Sequence, residues 1–169
     1  MSIESERKLL IVAVDLAGYF KAAQNRANVE VAGFLDDFYH ACAEALEPAG
    51  GRIVKFMGDA CLAVFPPERA MDAIDAVAAL RERAIAIGAR HRMRVGMGAN
   101  LHIATVAEGE IGPPTARRYD VIGEGVNHTF RMGGAGSINA SEPVYRRLPP
   151  ERRSPWLKRK PPATYTLRE

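Results

Sequence analysis

A chain of 169 residues with a formal charge of only +3 is long enough for one domain with a real core and too short for two ordinary ones. Its basic residues crowd late, from Arg146 and Arg147 through Arg152, Arg153, Lys158, Arg159 and Lys160, but few aromatics interleave them to stack bases, which argues against general nucleic-acid binding. No segment supplies the roughly 18 consecutive apolar residues of a membrane span, and the two cysteines, Cys42 and Cys61, lack metal-ligand spacing, so the expectation is a soluble, cytoplasmic protein with buried thiols.

In chain order, residues 1–7 read as an N-terminal tail and the apolar, β-branched run at 8–14 as a buried strand that ends at Asp15. Gly18 then permits a tight strand-to-helix turn. Val31, Phe34, Leu35, Phe38, Cys42 and Leu46 recur at helical spacing, up to a stop at Pro48 and Gly50-Gly51. The segment RIVKFMGDACLAVF at 52–65 sets a tight Gly58-Asp59 turn between two strand-like runs, which puts Asp59 at a hairpin tip.

Pro66-Pro67 opens a second helix whose Ile74, Val77, Leu80, Ala84 and Ile87 form a core-facing stripe, and a strand around Met93 to Val106 follows. Beyond a loop containing Gly112, Pro113 and Pro114, the segment RRYDVIGEGVNHTFR at 117–131 has Asp120 before a Gly123 break and then a short helix, ending at Gly133-Gly134. Asn127 and Arg131 share one face of that helix because they lie four residues apart. Short strands complete the chain. The order predicts an α+β fold, a ferredoxin-like or palm-like sandwich over 8–169, with a mainly antiparallel sheet and helices packed on one face.

The chemistry-bearing residues fall into three pairs. Asp15 and Asp59 are strand-end carboxylates which, with phosphate oxygens and water, suit Mg²⁺, an ion that dehydrates reluctantly and needs few protein ligands. Either one alone reads as a turn or capping residue; their company makes the site. Lys55 and Asp120 form a candidate base-reading pair, and Asn127 and Arg131 a polar pair on a helix. Together these are parts for handling a nucleoside triphosphate. His40, His91, His102 and His128 have no mutual spacing that demands a metal or a catalytic triad, so structural or surface roles are expected.

On VDLAGYF, KFMGD and DVIGEGVNHTFR, the chain resembles the catalytic domain of class III nucleotidyl cyclases, the adenylate and guanylate cyclase family, over nearly its whole length from about Leu9 to Leu167. The resemblance implies that Asp15 and Asp59, assisted by the Leu16 carbonyl, hold two Mg²⁺ or Mn²⁺ ions. It implies that Asn127 orients the ribose, that Arg131 neutralises charge at the α-phosphate, and that Gly18, Tyr19 and Phe20 cradle phosphate with their N–H groups. Lys55 and Asp120 would read the base: an ammonium donates to adenine N1 and a carboxylate accepts from its N6 amino group, which favours ATP. The resemblance further implies a homodimer, since in this family the metal aspartates of one subunit meet the base-reading, Asn and Arg residues of the other.

Some positions depart from the family pattern. Phe20 stands at a place commonly held by a hydroxyl residue, Glu124 replaces an Asp, and Ala104 replaces a Gly. Gly125 lowers helix propensity at the start of the helix that aims Asn127. Arg94 is a phosphate-contact candidate, and both Lys158 and Lys160 are candidates for the terminal phosphates. The expected activity is an adenylate cyclase making 3′,5′-cyclic AMP and pyrophosphate. The alternatives are a non-catalytic nucleotide-binding or dimerisation module, and a cyclase that uses GTP or a pyrimidine triphosphate.

Overall fold

The computed structural model describes residues 2–134, 136–159 and 163–168. A long strand β1 (Ser2–Ala17) leads through the one-turn helix α1 (Tyr19–Ala23) into α2 (Asn28–Leu46). The hairpin β2 (Arg52–Met57) and β3 (Ala60–Phe65) follows, then a 3-10 turn (Pro67–Arg69), α3 (Ala70–Arg90) and the second long strand β4 (Gly96–Ile111). After these come β5 (Arg118–Ile122), α4 (Glu124–Arg131), β6 (Ile138–Ser141), α5 (Glu142–Tyr145), a 3-10 turn (Pro150–Arg152), β7 (Trp156–Arg159) and β8 (Thr164–Leu167). The α+β sandwich is therefore as expected.

Among the described residues the strands form one sheet in the order β2-β3-β1-β4-β6-β8-β7, with β5 pairing to the far half of β4. Every pairing is antiparallel except β4 with β6. Beside the middle strand β4 lies β1, whose side chains alternate between two cores as a strand requires. Leu10, Val12, Val14 and Leu16 enter the larger core with Phe34 and Phe38 of α2 and Ile74, Val77 and Leu80 of α3. Leu9 and Ile11 face the other way, into a smaller core with Leu62, Val64, Val106, Val121 and Val126. Full burial of an Ile or Phe contributes about 1.5–3 kcal/mol, so the two-sided burial of β1 fixes its register strongly.

The stripe predicted for α3 is buried, and that of α2 is buried at Phe34, Phe38, Cys42 and Leu46, with Val31 and Leu35 half-buried at its edge. The outer faces of the two helices are tied by His91 Nε2 to Asp37 Oδ2 at 2.6 Å and by Arg83 to Glu44. The two thiols are buried and free of any disulfide, as expected, and the hydrogen bond with Cys61, then burial, push the Cys42 thiol well above its ordinary range.

Three features differ from the sequence reading. Residues before Lys8, read as a tail, continue β1 and pair with β4 from Ser2↔Glu110 onward, with Arg7 Nη1 2.8 Å from Glu108 Oε1. The run SIESERK lacks an apolar signature because its residues Ser5 to Lys8 are exposed. The strand expected at Met93–Val106 starts and ends later, and its extension folds back into β5, which went unforeseen. Finally, α2 and α3 share one face of the sheet, whereas the short α4 sits on the opposite face through Val126.

Candidate active site

Asp15 stands on the sheet face that carries α4. Alternation along β1 puts Asp15 on the side of Leu9 and Ile11, and Asp15 pairs in register with Ala60, the first residue of β3 after the turn. The Gly58-Asp59 turn therefore folds directly beside it. Gly58 has φ +61°, a left-handed conformation that suits glycine and closes the two-residue hairpin. The Leu16 N–H donates to the Asp59 carbonyl at 3.2 Å and ties the turn to the end of β1. Burial, and next the negative charge of Asp59, raise the Asp15 carboxyl above the ordinary carboxylate range. Two carboxylates crowded in this way form a hard-oxygen donor set whose mutual repulsion a divalent cation relieves, so the residues fit Mg²⁺ or Mn²⁺.

A small cleft of about 90 Å³ adjoins Asp15, lined by Ala13, Val14, Asn100, Phe130 and Gly133. It joins the carboxylate to the C-terminal end of α4. Its floor is a buried amide network: Asn139 Nδ2 donates to Asn100 Oδ1 at 2.9 Å, and Thr166 Oγ1 donates to Asn139 Oδ1 at 2.8 Å.

Lys55 and Asp120, 65 positions apart, meet at the site. Lys55 Nζ lies 2.9 Å from Asp120 Oδ1 and 2.8 Å from Oδ2, with side-chain exposures of 29% and 17% that leave the pair partly shielded from water. The Val121 N–H also donates to Asp120 Oδ1, at 2.8 Å, and fixes the carboxylate plane. Next to this pair, the Arg52 guanidinium lies 3.3 Å from the centroid of the Tyr119 ring, and Tyr119 Oη donates to Glu108 Oε2 at 2.5 Å. Burial, and then this bond to Glu108, hold the Tyr119 phenol above its ordinary range. This clasp between β2 and β5 escaped sequence reasoning because β5 itself was missed.

On α4, Val126 and the fully buried Thr129 face the sheet, and Thr129 Oγ1 donates to the Gly125 carbonyl at 2.7 Å. Asn127 and Arg131 are thereby turned outward and are exposed; Arg131 Nε donates to the Asn127 carbonyl at 3.3 Å. Beneath the helix the His102 and His128 rings lie 4.7 Å apart, a pairing invisible in their spacing. Burial, then the neighbouring His128, lowers His102 to about 4.

At the start of α1, Gly18 has φ +77° and its carbonyl accepts from the Ala22 N–H at 3.1 Å. The N–H groups of Tyr19 and Phe20 lie in the first turn, where a helix offers them no partner. The Phe20 side chain is 79% exposed. Lys158 is exposed on β7, the edge strand four places from β1, which is roughly 19 Å by strand spacing. Within one chain it is not brought to Asp15. Lys160 lies outside the described residues, and Arg94 is exposed.

The profile of the family described as the adenylate and guanylate cyclase catalytic domain matches residues 1–161. An adenylate cyclase of Anabaena cylindrica is 29% identical over 138 residues, 77% of this chain and 28% of that protein. An uncharacterized protein of Mycobacterium tuberculosis is 30% identical over 128 residues, 75% of this chain and 23% of that protein. The chain thus spans about a quarter of the length of these relatives. In fold it is similar to the adenylyl cyclase CyaB from P. aeruginosa (TM-score 0.84, 18% identity, 98% of this chain and 95% of that one). It is also similar to the guanylyl cyclase Cya2 (TM-score 0.76, 20% identity, 96% and 92%). Among the described residues no helix is long and apolar enough to cross a membrane. With its profile matched over nearly the whole length, its palm-like sheet and its clustered carboxylates, the chain belongs to the adenylate and guanylate cyclase catalytic domain family.

Proposed function

We propose that this nucleotide cyclase domain is an adenylate cyclase, converting ATP into 3′,5′-cyclic AMP and pyrophosphate at sites shared by two copies of the chain. The observation that carries the base assignment is the Lys55–Asp120 pair, a cationic donor beside a fixed acceptor. That pattern complements the N1 and N6 edge of adenine and opposes the reversed edge of guanine, against which its groups would be left unpaired.

Asp15, Asp59 and the Leu16 carbonyl would hold two Mg²⁺ or Mn²⁺ ions, which when bound supply charge neutralisation on the triphosphate and a lowered pKa at the ribose 3′-hydroxyl. The remaining work falls to the chain itself. Asn127 orients the ribose so that its 3′-oxygen lies in line with the α-phosphorus and the departing pyrophosphate. Arg131 stabilises the charge that develops on the α-phosphate, an interaction that counts because it strengthens in the transition state. The N–H groups of Gly18, Tyr19 and Phe20 receive phosphate oxygens, and Lys158 supplies a cation for the terminal phosphates.

The homodimer draws support from the direction of α4. Asn127 and Arg131 face solvent on the side away from their own sheet, and exposed Ile122, Phe130 and Met57 give a second copy apolar surface to cover. The edge position of Lys158, far from the aspartates of its own chain, accords with service across the interface.

Mass spectrometry of product from the purified chain, given ATP, GTP, CTP and UTP separately with Mg²⁺ or Mn²⁺, tests the proposal. Cyclic AMP from ATP alone is the expected result. Cyclic GMP instead would overturn the base assignment, and ATP binding without any cyclic product would identify a non-catalytic nucleotide-binding module.

A further inference from the structure

The hairpin tip that presents Asp59 is a two-residue turn on the surface, yet a side chain from α2 reaches it. Tyr39 Oη donates to the Gly58 carbonyl at 2.5 Å. The Tyr39 ring is stacked on Phe56 of the same hairpin, with centroids 4.1 Å apart and planes 18° apart. The phenol sits above its ordinary range, chiefly through burial, with smaller contributions that include the charge of Asp59. It is therefore a neutral donor at physiological pH.

This contact has a counterpart on the other side of Asp59, where the Leu16 N–H donates to the Asp59 carbonyl at 3.2 Å. The carbonyls of the two peptide groups that flank Asp59 are thus both gripped from outside the hairpin, the preceding one from α2 and the following one from the end of β1. A two-residue turn with a glycine in the left-handed region has little else to define its peptide planes. Rotation of the Gly58 carbonyl would swing the Asp59 carboxylate relative to Asp15, and two ligands of one small cation tolerate little change in separation.

We infer that Tyr39 is a positioning residue for the cyclase reaction: its hydroxyl sets the orientation of Asp59 toward Asp15 and thereby the affinity of the site for divalent metal. The inference rests on the reading of Asp15 and Asp59 as metal ligands. A phenylalanine at this position would fill the same space against Phe56, so the hydroxyl is not required for packing; it matters for the peptide it grips.

The test uses Tyr39→Phe, which retains the ring stack, alongside the parent chain and Asp59→Ala. Binding of Mn²⁺ alone is read from the free Mn²⁺ signal in electron paramagnetic resonance, with no turnover involved. Tyr39→Phe should weaken Mn²⁺ binding by about fivefold, the scale of one neutral hydrogen bond, and its cyclase rate should return toward that of the parent at saturating Mn²⁺. Parent-like Mn²⁺ affinity in Tyr39→Phe, with binding lost in Asp59→Ala, overturns the inference and leaves the metal site standing. A rate loss that saturating Mn²⁺ does not restore also overturns it, since it marks Tyr39 as structural only. Undiminished Mn²⁺ binding in Asp59→Ala would remove the metal reading and the inference with it.

Discussion

A β-carbon added to Gly125 would lie 2.3 Å from the Cβ of Ala104, so α4 rests on β4 at a distance that only glycine allows. Gly125 and Ala104, two departures from the family pattern, are one feature of packing: the methyl on the strand occupies the space that the helix leaves. Gly125 does lower the local helix propensity. In return it seats the helix that carries Asn127 and Arg131.

Gly125→Ala should therefore destabilise the fold by about 1–3 kcal/mol through overpacking, and the double variant Gly125→Ala with Ala104→Gly should recover most of that loss. Urea unfolding of the two single variants and the double measures the coupling. Equal stability of Gly125→Ala and the parent would show that α4 is free to move off the sheet.

The Lys55–Asp120 pair should govern base choice. Asp120→Ala leaves the ammonium without its fixed partner and removes the acceptor for the adenine amino group. A decrease of about 10- to 100-fold in kcat/KM for ATP is expected, with GTP affected less, so that the preference narrows. Steady-state kinetics with both triphosphates decides the matter.

If the sites are shared between two copies, two inactive chains should complement each other. Asp15→Ala and Asn127→Ala homodimers are expected to be nearly inactive, whereas their equal mixture should regain about a quarter of the parent activity, because random pairing makes about half of the dimers heterodimers and each of these has one intact site of two. Titration of one variant into the other at fixed total protein gives the readout, and a flat response would place the whole site within a single chain.

His102 makes stability depend on acid. Its folded value of about 4 lies below the ordinary 6.5 because burial and then His128 disfavour the imidazolium, and its Nδ1 has no hydrogen-bond partner among the described residues. The unfolded chain therefore takes up this proton first as pH falls. Stability is fully present above about pH 6.5, declines between about 6.5 and 4, and loses no more to this group below that window. Urea midpoints across the window should slope downward toward acid for the parent, and His102→Gln should flatten the slope. The loss bears on function because His128 lies on α4 between Asn127 and Arg131.

Local pattern made much of this protein legible. The apolar run before Asp15, the helical stripes of α2 and α3 and the Gly58-Asp59 turn each depend on residues close in sequence, and each is found as read. The motifs around Asp15, Lys55 and Asn127 pointed to the cyclase family for the same reason, since each is a compact segment. Other features depend on partners far along the chain. A polar strand such as Ser2–Arg7, or the short β5, is specified by the neighbour that pairs with it and not by its own periodicity. The sequence by itself determined the fold class and the inventory of chemical groups, because hydrophobic period and turn chemistry act locally. Only the tertiary structure decided that Lys55 grips Asp120, that Gly125 makes room for Ala104 and that Tyr39 holds the turn bearing Asp59, because the packing of the sheet and its helices sets the distances between side chains that sequence separation leaves open.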